Sequence, residues 1–136
     1  MSPHAATLNK PREARVLIIE DEPMLAYALE EILIEAGFKT AGVAGRLETA
    51  LALIAIGDCD VAIVDANLAG VSAGPAASAL AARGIPYIVV SGYSPEQQQG
   101  AFSGALFIQK PCRPNELIRA LRSVLPANEF WPADAS

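Results

Sequence analysis

The sequence predicts an α/β domain: a doubly wound, five-stranded parallel sheet, strand order 2-1-3-4-5, with a reduced or irregular fourth helix. Three observations predict it. Short apolar runs with hardly a polar interruption recur along the chain, stretches with apolar residues at helical spacing separate them, and the two kinds alternate regularly over 136 residues. Near-continuous apolar strands belong to a sheet covered on both faces. Strand–helix alternation with right-handed crossovers then leaves few topologies.

Taken in order, "RVLIIE" (15–20) is the first strand. "MLAYALEEILIEAG" follows as a helix, with Leu25, Leu29, Ile32, Leu33 and Ala36 on one face, Pro23 near its start and Gly37 as its stop. "FKTAGVA" is a weaker strand, and "RLETALALIAIG" is a second helix closed by Gly57. "DVAIVD" (60–65) is the third strand, and "PAASALAARG" (75–84) is a small-residue helix with Pro75 near its start. "IPYIVVSG" (85–92) and "ALFIQK" (105–110) are the last two strands, and "PNELIRALRSVL" (114–125) is an amphipathic helix with Pro114 at its first position. Between those strands "YSPEQQQGAFSG" offers a capping pattern from Ser94 to Gln97, but Gly100 and Gly104 stand close behind. At most a turn or two of helix is expected there. The domain is expected over 15–125, with a flexible leader over 1–14 and a tail over 126–136.

A formal net charge of -5 argues against a phosphate-backbone ligand, so no nucleic-acid partner is expected. No apolar stretch approaches the roughly 18 to 20 residues that cross a bilayer. The N-terminal residues also lack the apolar region of a secretory signal. A cytoplasmic protein without a membrane partner is expected. Cys59 and Cys112 lie far apart without metal-ligand spacing and read as reduced thiols. The one histidine, His4, falls in the leader, which excludes a histidine-based triad, a histidine-rich metal site or a phosphohistidine donor within the folded part.

Sites in a doubly wound sheet form beyond the carboxyl ends of its strands. There the first strand ends at Glu20 and Asp21, the third at Asp65 followed by Ala66 and Asn67, the fourth at Ser91 and the fifth at Lys110. Two like unit charges about 4 Å apart repel by roughly 4 kcal/mol at an effective dielectric of about 20. Three gathered carboxylates therefore call for a cation, and hard oxygen ligands without His or Cys suit Mg²⁺. Asp65 beside such an ion is a candidate nucleophile or phosphoacceptor. Ser91 can donate a hydrogen bond and Lys110 supplies positive charge, the requirements of phosphoryl transfer. Each residue also has a plainer reading. Glu20 and Asp21 could be acids at a helix N-terminus, Ser91 a turn residue beside Gly92, and Lys110 a snorkelling surface lysine. Asp65, closing a wholly apolar strand, needs a partner under either reading, and Glu22 reads as a surface acid of the first helical turn.

The fragments "IIEDEP", "VDANLAG", "VVSGY" and "IQKP" occur in this order at suitable intervals. Over about residues 15–125 the chain resembles the receiver domain of two-component response regulators, a flavodoxin-like fold. The resemblance implies Mg²⁺ held by Glu20, Asp21, Asp65 and the backbone carbonyl of Asn67. It implies Asp65 as the phosphorylation site, Ser91 and Lys110 as the family's hydroxyl and lysine, and a Lys110–Pro111 bond of a kind that is often cis. "PAASALAARGIPYIVVSGYS" is similar to single-domain receivers with the FAT GUY motif, although Val replaces the leading Phe and Ser the Thr. Those relatives often lack a regular fourth helix. Phe107 occupies the family's aromatic switch position, with plain core packing as the alternative. Tyr93 is either an exposed loop residue or a shade over the phosphoryl group.

The implied function is a single-domain response regulator. It would take a phosphoryl group from a histidine kinase or histidine phosphotransfer protein and act through contacts with a downstream protein or as a phosphate sink. No enzymatic activity is expected beyond its own phosphorylation and dephosphorylation, and no DNA-binding output domain is expected in a chain of this length. Two rivals come from other classes. A Mg²⁺-dependent phosphotransferase or phosphatase with an aspartyl nucleophile commonly has a second acid two residues on, where this chain has Asn67. A flavodoxin-like cofactor binder wants a Gly/Ser/Thr-rich loop after the first strand, where this chain has acids.

Overall fold

The apolar runs of the sequence become strands, and the stretches at helical spacing become helices laid across them. A computed structural model describes residues 13–92, 102 and 105–126. In chain order these form β1 (Arg15–Ile19), α1 (Pro23–Glu35), β2 (Lys39–Ala44), α2 (Leu47–Ile56), β3 (Val61–Asp65), β4 (Asn67–Leu68), β5 (Val71–Ser72), α3 (Gly74–Ala82), β6 (Tyr87–Ser91), β7 (Leu106–Gln109) and α4 (Pro114–Val124). Five of the strands make one sheet in the order β2-β1-β3-β6-β7, every pair parallel. Leaving out the short β4–β5 pair, this is the expected 2-1-3-4-5 order. The stretch in which a reduced fourth helix is expected lies, apart from Phe102, outside the described residues. No helix among the described residues is long and apolar enough to cross a membrane.

Side chains alternate across the sheet and give it two apolar faces. Val16, Ile18, Ile63, Ile88, Val90 and Ile108 pack under α1 and α4, against Leu29, Leu33, Leu117 and Leu121. Leu17, Ile19, Ala62, Val64 and Val89 pack under α2 and α3, against Ile54, Ala76, Ala77 and Leu80. Burying a side chain such as Leu33 or Leu117 contributes about 1.5 to 3 kcal/mol, and this fixes which way each strand end faces. The pairing of β1 with β2 is extended at its start by Ala14, which is buried and whose carbonyl accepts from the Lys39 N–H at 2.9 Å.

The helix ends follow the sequence punctuation. Pro23 and Pro114 open α1 and α4, where a missing N–H leaves no intrahelical bond unmade. After α1 the Phe38 N–H donates to the Leu33 carbonyl at 2.9 Å and the Gly37 N–H to Ile34 at 3.1 Å. This is a Schellman closure, with Gly37 at φ 93° and Phe38 buried beside Leu33. At the end of α2, Gly57 sits at φ 74°, and Arg83, just past α3, donates to the Ala55 carbonyl at 2.7 Å. A cation from the neighbouring helix thus serves the carbonyl end of α2.

One element has no counterpart in the sequence reading. β4 and β5 pair antiparallel around a tight turn at Ala69 (φ 53°) and Gly70 (φ 88°), two positive values that match the right-handed twist of a hairpin. The Asn67 side chain holds the turn, its Oδ1 accepting from the Gly70 N–H at 2.7 Å. Strands of two residues are too short for apolar periodicity to reveal.

A Cβ at Gly57 would lie 2.9 Å from Arg83 Nη1. Gly57→Ala is therefore expected to lose about 1 to 2 kcal/mol from left-handed backbone strain, plus a crowding cost that disappears in an Arg83→Ala background. Urea denaturation of the two single variants and the double variant checks this, and equal Gly57→Ala costs in both backgrounds would contradict the crowding.

Candidate functional site

Register alone brings the strand-end acids together. Ile19 of β1 pairs with Val64 of β3, so Glu20 and Asp65 follow at the same level on adjacent strands. The Glu20 N–H donates to the Ala44 carbonyl at 2.9 Å, which ties this residue to the end of β2. Asp65 pairs with Val90, and Ser91 with Gln109, so the hydroxyl and the lysine arrive one and two strands further along the rim. The Lys110 N–H donates to the Ser91 carbonyl at 2.7 Å, and the Lys110–Pro111 bond is cis.

Glu20 is 4% exposed and Asp65 7%, an unusual degree of burial for carboxylates. Each is satisfied in the same way. Lys110 Nζ donates to Glu20 Oε1 at 3.2 Å and to Asp65 Oδ2 at 3.2 Å. The remaining oxygen of each takes a backbone N–H from two residues on: Glu22 to Glu20 Oε2 at 3.1 Å, and Asn67 to Asp65 Oδ1 at 3.2 Å. Asp21, half-buried, adds a third carboxylate, and one oxygen from each of Glu20, Asp21 and Asp65 lies within 4.8 Å of the others. The donor set consists of hard oxygens, with neither thiol nor imidazole, and so fits a hard divalent cation.

The electrostatics point the same way. Burial pushes the Glu20 carboxyl above its ordinary pKa; the Glu22 amide and Lys110 pull it down, Asp65 adds to the rise, and the net shift is upward. Burial by itself would lower the Lys110 ammonium, but the charges of Asp65 and Glu20 and hydrogen bonds to both push it above its usual range. Both shifts favour the more positive form, through burial first at Glu20 and through the facing acids at Lys110. The pocket is short of positive charge.

The structure thus brings Glu20, Asp21, Asp65 and Lys110 together. Ser91 is buried at the end of β6 on the same rim. Asn67 contributes its N–H to Asp65 and commits its side chain to the hairpin turn. Phe107 lies half-buried on β7, on the α2/α3 side, with its ring edge-on to buried Phe102 at 6.4 Å between centroids and 87° between planes. Tyr93 lies outside the described residues. Sequence reasoning missed the two amide partners, although the i to i+2 spacing of Glu20–Glu22 and Asp65–Asn67 is the one at which an acid commonly accepts from its own backbone. It also missed Phe102.

Comparison with known proteins agrees with this geometry. The family model of the response regulator receiver domain matches residues 16–122. The chain is similar to the DNA-binding response regulator MtrA of Mycolicibacterium smegmatis, at 32% identity over 124 residues covering 88% of this chain and 54% of MtrA. It is also similar to the transcriptional regulatory protein PdtaR of Mycobacterium tuberculosis, at 32% identity over 111 residues covering 79% of this chain and 54% of PdtaR. The chain spans about half the length of the curated relatives it matches. Among solved structures, SdrG from Sphingomonas melonis Fr1 matches with a TM-score of 0.72 at 34% identity, over 82% of this chain and 96% of that one. The receiver domain of PhyR from Erythrobacter litoralis matches with a TM-score of 0.69 at 27% identity, over 82% and 92%.

With its raised pKa, Glu20 makes a contribution to stability that is fully present at acid pH and is lost as pH rises through that value. Lys110 offsets this cost. In chelator at neutral pH, Lys110→Ala is expected to lose about 1 to 3 kcal/mol, less than a wholly buried pair because the lysine is partly solvated. The deficit should shrink as pH falls below the raised Glu20 value, where that carboxyl takes up its proton and no longer needs the ammonium. Melting curves of the variant and wild type across pH check this, and a deficit independent of pH would contradict it.

Proposed function

We propose, since the chain belongs to the response regulator receiver domain family, that it accepts a phosphoryl group on Asp65 from a phosphohistidine of a kinase or histidine phosphotransfer protein. The observation that carries this reading is a buried carboxylate at the end of a central strand, grouped with two further acids and bonded to a lysine. In the transfer the P–N bond of the donor breaks as an acyl phosphate forms on Asp65, and the donor imidazole leaves. Glu20, Asp21, Asp65 and the backbone carbonyl of Asn67 would hold Mg²⁺. When bound, that ion supplies the positive charge that lets a phosphoryl oxygen approach the acids.

The protein's own groups do the rest by position. The Asn67 N–H and the Lys110 ammonium fix both oxygens of Asp65, so the nucleophile is oriented before a donor arrives. Lys110 offers a fixed positive charge to the phosphoryl oxygens, and the Ser91 hydroxyl offers a hydrogen bond. Phe107 has no hydroxyl, so a switch at this position distinguishes its states by packing, here against Phe102. Output passes through contacts with a downstream protein, or the domain drains phosphoryl groups from a shared kinase. It acts in the cytoplasm and turns over no external substrate. MtrA binds DNA, but about half of that protein lies outside the match. The net charge of -5 favours a protein partner for this domain.

Incubation with Mg²⁺ and acetyl phosphate, or with a phosphorylated histidine phosphotransfer protein, followed by intact mass, tests the reading. Wild type is expected to gain the mass of one phosphoryl group, while Asp65→Asn gains none and chelator prevents labelling. A labelled Asp65→Asn variant, or wild type that neither donor labels, would contradict it.

A further inference from the structure

The outward faces of α1 and α4 carry opposite charge, and α1 holds its charge in an unfavourable place. The charged residues of α1 are Glu30, Glu31 and Glu35, with no base among them. Glu31 and Glu35 are exposed and, among the described residues, make no ion pair. They repel each other at i, i+4 spacing, and Glu35 stands in the last turn, where the helix dipole opposes negative charge. α4 lies beside α1 on the same face of the sheet and is net basic, with Arg119 and Arg122 against Glu116 and with Arg113 at its cap. Arg113 and Arg119 are exposed, and with Asn115 and Glu116 they line an open groove at the helix start.

Each helix also presents a stripe. On α1, Met24, Tyr27 and Ile34 are exposed by 80%, 65% and 60%. With Glu31 between the last two, they follow one another at spacings of three, four and three residues, one line along the helix. On α4, exposed Asn115 and Arg119 follow at four, one turn apart.

We propose that this face is the interface of a symmetric dimer of the chain, in which the α1 stripe of each copy lies on the α4 stripe of the other. A two-fold axis parallel to the helices and midway between them makes both contacts at once and leaves the helices parallel across the interface. Both helices begin just beyond the carboxyl edge of the sheet, each with a proline. Heights along them can therefore be compared from Pro23 and Pro114 at 1.5 Å per residue. Met24 and Asn115 both stand at about 1.5 Å. Arg119, at about 7.5 Å, falls between Tyr27 at about 6 Å and Glu31 at about 12 Å, so its guanidinium meets a ring on one side and a carboxylate on the other. The second copy is the favoured occupant because one rotation matches acid to base and apolar anchor to groove using only residues on this face. The inference does not depend on phosphoryl transfer.

Sedimentation of wild type over a range of concentrations at low salt is expected to show a monomer–dimer equilibrium that weakens with added salt. Glu31→Arg and Arg119→Glu, both at exposed positions and checked for folding by circular dichroism, should each weaken the dimer about tenfold or more, since each sets like charges against each other twice per dimer. Mixing the two variants should restore association, because in the mixed dimer positions 31 and 119 again carry opposite charges across both contacts. Wild type that stays monomeric to about 1 mM, leaving the face to some other macromolecule, would overturn the proposal. So would a dimer that survives both reversals, or a mixture that fails to associate.

Discussion

The ammonium of Lys110, bonded at 3.2 Å to both Glu20 and Asp65, is the interaction on which the rest of this structure depends. Two carboxylates this deeply buried on adjacent strands repel each other, and the half-buried Asp21 adds to the strain. One lysine and two backbone N–H groups hold them in place. They do not bring the pocket to neutrality: the facing charges of Asp65 and Glu20 displace the Lys110 ammonium toward its protonated form, and burial, with Asp65 adding to it, does the same to the Glu20 carboxyl. A site with a standing deficit of positive charge has affinity for a divalent cation. With that ion bound it can receive an anionic phosphoryl group that the bare acids would repel.

The fold makes this arrangement possible by packing the strands beneath it on both faces. The alternating aliphatic residues of β1 and β3 are committed to two packed faces, so a slip of register by one residue would exchange those faces and turn the acids away from the rim. The cost of gathering the acids is borne by the apolar layers beneath. The β4–β5 hairpin acts locally: its turn engages the Asn67 side chain, and this places the Asn67 N–H against Asp65. The Schellman closure after α1 and the Arg83 contact with α2 secure the opposite end of the molecule.

Much of this was legible in the sequence for physical reasons. Strands buried on both faces are written as unbroken aliphatic runs such as "VLII" and "VAIV", and the charged residue that ends each run marks the rim. Crossover handedness left few strand orders, and the sheet has the doubly wound one expected among them. Less local features left weaker traces. The hairpin consists of two-residue strands with Ala69 where Asn or Gly is usual, so neither periodicity nor turn composition signalled it. Phe102 stands in a Gly-broken stretch without period, and its packing on Phe107 is a tertiary fact. Ala14 reads as part of the leader because Pro11 and the charged residues around it mask the start of the sheet, whereas its carbonyl is bonded to Lys39.

The central claim is that an acidic trio, incompletely balanced by Lys110, forms a divalent-cation site. Titration of Mg²⁺ followed by amide NMR, in wild type and in Lys110→Met, tests it most directly. Wild type should show saturable shifts concentrated at the residues following β1 and β3, and Lys110→Met should bind several-fold more tightly, because a competing positive charge has been removed. An absence of shifts at those residues, or a variant that binds no more tightly than wild type, would contradict the account.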